Sequence, residues 1–133
     1  MVKARAISGG KAEGEVIITR DAISFLGSVD PATGTVVEEG HELYGKKISG
    51  RVLVFPEGKG STVGSYVIYQ LKKRGLAPVA MITQRSEPIV ALGAIISGIP
   101  HVDEPSIDVF ELLKDGDWVL VDGDRGLIEV IEH

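Results

Sequence analysis

Arg51-Val52-Leu53-Val54-Phe55, then Pro56-Glu57-Gly58-Lys59-Gly60-Ser61-Thr62, then Val63-Gly64-Ser65-Tyr66-Val67-Ile68-Tyr69-Gln70-Leu71, is the stretch on which the fold turns. Arg51 to Phe55 is β-branched, aliphatic and aromatic without polar alternation, the pattern of a central strand covered on both faces. Val63, Val67, Ile68 and Leu71 recur at helical spacing, and the run closes on Lys72, Lys73 and Arg74 before a Gly75 stop. A basic last turn suits the negative end of the helix dipole. A second apolar run at Val79 to Ile82 follows after a short gap. Arg51 to Ile82 therefore reads as a βαβ unit with parallel strands and a right-handed crossover.

Working outward toward the N-terminus, Lys3 to Ile7 and Glu15 to Thr19 read as short strands separated by Gly9-Gly10. The segment after Asp21 is irregular. Asp30-Pro31 followed by Thr33-Gly34 is turn chemistry, since proline fixes φ, aspartate caps nearby N–H groups and glycine accepts positive φ. A strand is expected next, at Thr35 to Val37. Toward the C-terminus, Pro88 to Ser97 is apolar nearly all round and reads as a short buried helix ending at Gly98-Ile99-Pro100. Ser106 is expected to cap a helix through Leu113. Trp118 to Val121 and Leu127 to Ile131 read as a hairpin joined by Asp122-Gly123-Asp124-Arg125-Gly126. Together these predict an α/β domain of three layers spanning residues 1–133, with a strand order that the sequence leaves open.

Composition narrows the function classes. The chain has 133 residues, 44% hydrophobic, enough to form a core without staples. Its net charge of -5 offers no footprint for a polyphosphate partner, so nucleic acid is not expected. With no cysteine, it can form no disulfide, hold no thiol nucleophile and ligate no iron–sulfur cluster by itself. No signal-like apolar segment opens the sequence and no apolar run is long enough to span a bilayer, so the expected setting is the cytoplasm, without membrane attachment.

The segment with chemical potential is Gly58-Lys59-Gly60-Ser61-Thr62, where a strand's C-terminal end meets a helix N-terminus. Glycines let backbone approach a ligand, and the helix start favours an anion. The hydroxyls of Ser61, Thr62 and Ser65 add hydrogen-bonding groups, and Lys59 a positive charge. The spacing is not that of a Walker A loop. By position alone Ser61 can equally be a simple N-cap. Arg85, in a loop after a strand, is a candidate anion ligand. His41, His101 and His133 lack metal-ligand spacing, so no metal site is expected. His41 and His101 are expected in polar surface or capping roles and His133 in solvent. Asp122-Gly123-Asp124 reads as turn composition and Glu38-Glu39 as a solvated run.

Three blocks carry a resemblance: GSVDPATG (Gly27 to Gly34), GHELYGKKISGRVLVFPEGKGSTVGS (Gly40 to Ser65) and EPIVALGAIISGIPHVD (Glu87 to Asp103). Together they resemble the small subunit of the aconitase X family. The resemblance implies a swivelling β/β/α domain, the separate-chain counterpart of the mobile domain of aconitases. It also implies a heterodimer with a larger subunit carrying a [4Fe-4S] cluster, consistent with a cysteine-free small chain. The activity implied is a hydro-lyase reaction on a phosphorylated hydroxy acid, with 5-phosphomevalonate of the archaeal mevalonate pathway the nearest substrate. In it a proton leaves the carbon beside the carboxylate, and the tertiary hydroxyl departs with cluster iron as Lewis acid. The family gives the role of proton acceptor to the serine of the GKGS block, Ser61 here. Lys59, Gly60, Thr62, Ser65 and Arg85 would then bind substrate.

Two other readings remain open at this point. Related proteins act on other hydroxy acids. GDWVLVDGDRGLIEV and GIPHV also resemble the phosphohistidine swivelling domains, but where those carry a histidine at a helix start this chain has Gly60-Ser61-Thr62-Val63. A histidine-less swivelling module with a regulatory or interaction role is the form that likeness would take.

Overall fold

The computed structural model describes residues Met1–His133. In chain order its elements are β1 (Val2–Lys3), β2 (Arg5–Ser8), β3 (Lys11–Ile18), α1 (Phe25–Ser28), β4 (Val52–Phe55) and α2 (Gly64–Lys73). They continue with β5 (Ala80–Thr83), α3 (Pro88–Ser97), β6 (His101–Asp103), α4 (Val109–Leu112), β7 (Trp118–Asp122) and β8 (Leu127–Glu132). Adjacent strands run in the order β1-β8-β7-β3-β4-β5-β6-β2. Strands β3, β4, β5 and β6 pair in parallel, whereas β7 and β8 join through antiparallel ladders. The expected βαβ unit is thus present, with β4 central and Val52 opposite Ala80.

The unalternating run of β4 is explained by what lies on each side. Leu53 and Phe55 face one core with Met81, Val67, Ile68, Leu71, Val90 and Ala94, beneath α2 and α3. Val52 and Val54 face a second core with Ala80, Ile82 and Val102, covered by Val119, Val121 and Ile128 of the antiparallel strands. Successive side chains of a strand point to opposite faces, so a strand between two apolar layers must be apolar throughout. Each fully buried Val, Leu, Ile, Phe or Met side chain among these contributes roughly 1.5–3 kcal/mol. The layers are the antiparallel strands, the parallel strands and the helix pair, the β/β/α arrangement expected.

Residues 2–8 close the sheet. β1 pairs with β8 at one end of the strand order and β2 pairs with β6 at the other. Ala4 between them donates its N–H to Gly126 O at 2.7 Å. Neither end of the strand order is left as an open edge.

Several expectations are corrected. Thr35 and Val36 make only isolated bridges, to Lys47 and Val29, and no strand forms. The turn before them is as expected: Asp30 Oδ1 accepts from Ala32 N–H at 2.9 Å, and Gly34 has φ +73°. β6, a parallel strand of three residues, and the four-residue α1 carry no signal long enough to read. α4 is capped by Asp108, whose carboxylate accepts from Phe110 N–H, rather than by Ser106. α3 has its expected bounds, but only Val90, Gly93, Ala94 and Ser97 are buried. Leu92, Ile95 and Ile96 lie outside, 53%, 55% and 47% exposed. No helix is long and apolar enough to cross a membrane.

Candidate active site

β4 and β5 deliver their C-terminal ends to one end of the parallel sheet, and α2 and α3 begin there. The Gly58–Thr62 loop is held by the segment before α1, where Ile23 donates to Glu57 O at 3.1 Å and accepts from Lys59 N–H at 3.0 Å. Two glycines are dictated by space. A Cβ on Gly58 would collide with Glu87 Oε1 and Val90 Cγ2. Gly60, at φ +90°, lies against Ser24, whose Cβ would be 3.2 Å from an added methyl.

Ser61 is exposed at the mouth of this loop. Its Oγ accepts the N–H of Val63 at 3.1 Å, and its carbonyl accepts Gly64 N–H at 2.9 Å. It therefore caps the turn that leads into α2, two residues before the formal helix cap, which falls at Val63. The backbone N–H groups of Gly60, Ser61 and Thr62 donate to no atom of the chain. Three successive free donors at a glycine-rich bend form a concavity suited to an anion. Lys59 and Thr62 are exposed, and Thr62 makes no side-chain hydrogen bond within the chain. No acidic residue occupies the first turn of α2.

Arg85 reaches the same end through the loop between β5 and α3. Its guanidinium lies 3.5 Å from Glu57 Oε2, with 74% of its side chain exposed. Pro56, Glu57, Gln84 and Arg85 line an open hollow there. Ser65 is placed differently from the expectation of a substrate ligand. It is buried, and its Oγ donates to Ile89 O at 2.6 Å, tying α2 to α3. Glu87 accepts from Ile89 and Val90 N–H at 2.8 Å each and so occupies the start of α3. Of the two helix starts at this end, only that of α2 is open to a ligand anion.

The histidines lie elsewhere. His41 is buried, not at the surface. Its Nδ1 accepts Leu43 N–H and its Nε2 meets Ala22 O, a capping role as expected. His101 is fully buried in β6, with Nε2 2.8 Å from Thr83 Oγ1 and no partner for Nδ1. Burial lowers its pKa to about 4, an effect only partly opposed by nearby Asp103. His133 is exposed, with Nδ1 3.1 Å from Asp117. Asp122 and Asp124 serve their turn, accepting from Arg125 N–H and Gly10 N–H at 3.0 Å each. Glu38 is engaged by the Ser28 hydroxyl.

A hydroxyl lifted on a helix-turn N–H, beside an unpaired lysine and free backbone donors, is equipped to hold an anionic ligand and to bear negative charge on Ser61 Oγ. The family model described as Aconitase X swivel domain matches residues 1–130. The chain belongs to the aconitase X swivel-domain family. Among the relatives of this swivel domain is the "Phosphomevalonate dehydratase small subunit" of Methanocella arvoryzae, 62% identical over 129 residues, 97% of this chain and 98% of that protein. The protein of the same name from Methanosarcina mazei is 66% identical over 131 residues, 98% of this chain and 91% of that one. The swivel domain superposes on the crystal structure of Thermococcus kodakaraensis aconitase X in its holo-form with a TM-score of 0.94, at 56% identity and 98% coverage of each chain. The small-subunit names imply a larger partner subunit for those relatives.

The swivel domain has no cysteine, and nowhere do three His, Cys, Asp or Glu side chains gather so as to hold a metal ion. Its residues therefore do not fit an iron–sulfur cluster. Sequence reasoning located the Gly58–Thr62 loop and Arg85. It missed the free N–H groups, Ser24 and Glu87, because which donors stay unpaired and which side chains lie against a glycine depends on neighbours distant in sequence.

Proposed function

We propose that this chain, as one swivelling domain over residues 1–133, is the small subunit of a hydro-lyase that dehydrates (R)-5-phosphomevalonate to trans-anhydromevalonate 5-phosphate in the archaeal mevalonate pathway. It works in the cytoplasm as a heterodimer with a larger subunit, and the [4Fe-4S] cluster, for which this chain has no ligands, belongs to that partner. The observation that carries the reading is Ser61 Oγ, exposed at the strand ends and accepting Val63 N–H at 3.1 Å. Identity with named relatives over nearly the whole chain supplies the substrate.

Ser61 takes the proton from the carbon beside the substrate carboxylate. Serine is a weak base in water. The Val63 N–H, the positive end of α2 and Lys59 favour its deprotonated form, and closure against the partner removes competing water. Lys59, Arg85 and the N–H groups of Gly60 to Thr62 receive the substrate's anionic groups, and the Thr62 hydroxyl adds a donor. Ser65 contributes by holding the start of α2 against α3.

Replacing Ser61 by Ala tests this in the assembled complex. The expected result is a kcat lower by about 10²–10⁴-fold, with assembly and KM little changed. A simple cap would instead cost about 0.5–2 kcal/mol of stability and leave turnover intact, and a fully active Ser61→Ala complex overturns the assignment.

A further inference from the structure

We propose that Asp103, paired with Arg5, is a positioning residue that fixes Arg85 beside the Gly58–Thr62 loop; this rests on the function proposed above. Asp103 ends β6 and is fully buried. Its carboxylate receives Arg5 Nε at 2.8 Å and the terminal guanidinium nitrogen at 2.7 Å, a bidentate pair. Its Oδ2 also accepts the N–H of Ser86 at 2.8 Å, one peptide from Arg85. Burial pushes the Asp103 carboxyl up, but the Arg5 pair and Ser86 outweigh it and hold it below its ordinary value.

The rest of that loop is pinned as well. Gln84 and Arg85 both donate their N–H to Pro56 O, at 3.0 and 3.2 Å, and Glu104 N–H donates to Gln84 O at 3.0 Å. Glu104 has φ +47°, the only non-glycine residue with positive φ, and its carboxylate also meets Arg5 at 2.9 Å. A left-handed non-glycine residue next to a site marks backbone held in a set position against its own preference. The anchors at Pro56 place the loop along β4, and on its far side Glu104 N–H holds Gln84 while Asp103 holds Ser86, the residue next to Arg85. Asp103 is buried while the Arg5 side chain is 56% exposed, so the pair ties the loop held by Asp103 to β2 at the surface.

The test uses the complex with the larger subunit and 5-phosphomevalonate, comparing Asp103→Asn, Arg85→Ala and the double variant. Asp103→Asn is expected to raise KM about tenfold with kcat within about twofold, and to add little once Arg85 is Ala. If Asp103→Asn does not fold, Arg5→Gln, at a half-exposed side chain, carries the same comparison with a severalfold rise. Unchanged KM in an assembled variant, effects that multiply in the double variant, or an Arg85→Ala complex with normal KM would each overturn the proposal. An inactive wild-type complex would refute the proposed function instead. In that case protection of the Ser86 amide from hydrogen exchange, expected to be lost in Asp103→Asn, still decides whether Asp103 anchors the loop.

Discussion

His101 shows what a single buried side chain can do to the response of a domain to acid. The folded ring takes up a proton only below about pH 4, while the unfolded ring does so near 6.5. Between those values the unfolded chain binds more protons, so stability falls as pH drops through this window, by on the order of 3 kcal/mol in all. Urea midpoints at pH 7 and pH 4.5 should differ accordingly, and His101→Gln should flatten most of the difference. Asp103 and Glu42, whose carboxyls are held below their ordinary values of 3.8 and 4.5, contribute stability that begins to be lost as the pH falls through those ordinary values. Gly60 is the complementary case, in which the absence of a side chain matters. Gly60→Ala must adopt φ +90° and press a methyl onto Ser24. It should cost about 1 kcal/mol or more and lower turnover of the complex through displacement of Ser61, read as a reduced kcat beyond the loss of folded protein.

At the scale of elements, α2 and α3 touch where Gly93 meets Ile68, so an added Cβ would stand 2.6 Å from Ile68 Cδ1. Gly93→Ala should therefore destabilise by about 1–3 kcal/mol, and a simultaneous Ile68→Ala should not add its full separate cost, because it vacates the space the methyl needs; thermal unfolding of the three variants checks this. The βαβ unit was legible because its pattern is local. Val52 to Phe55 is apolar on both faces, and Val67, Ile68 and Leu71 mark one helix face whatever surrounds them. The segment from Asp21 to Gly50 was not, since Ile23, Val36, Leu43 and Ile48 are ordered by the core they enter rather than by periodicity. α3 was assigned correctly as a helix but misjudged in burial, because uniform apolarity does not tell which face meets the sheet. The same holds at the site. Gly58 to Thr62 announces a helix start, whereas the Arg5–Asp103 pair joins residues 98 positions apart and leaves no mark in either neighbourhood.

For the whole molecule, the inward folding of one sheet makes the N-terminal residues its fastener. Removing residues 1–8 should uncover the edges of β6 and β8 together and make the domain self-associate, detectable by light scattering at neutral pH. The intact chain alone is expected to fold yet to turn over no 5-phosphomevalonate, since nothing in it can hold the group that assists departure of the hydroxyl; activity from the metal-free isolated chain would contradict this. The fastener also sets an order in time. Val2 must meet Ile128, and Arg5 must meet Asp103, so the sheet cannot be closed until nearly the whole chain is available. Pairings this distant are slow to form because loop closure must precede their reward. While the chain is being synthesised, the βαβ unit can assemble with its edges open, and the interval before β8 emerges is when this protein most needs shielding from its neighbours.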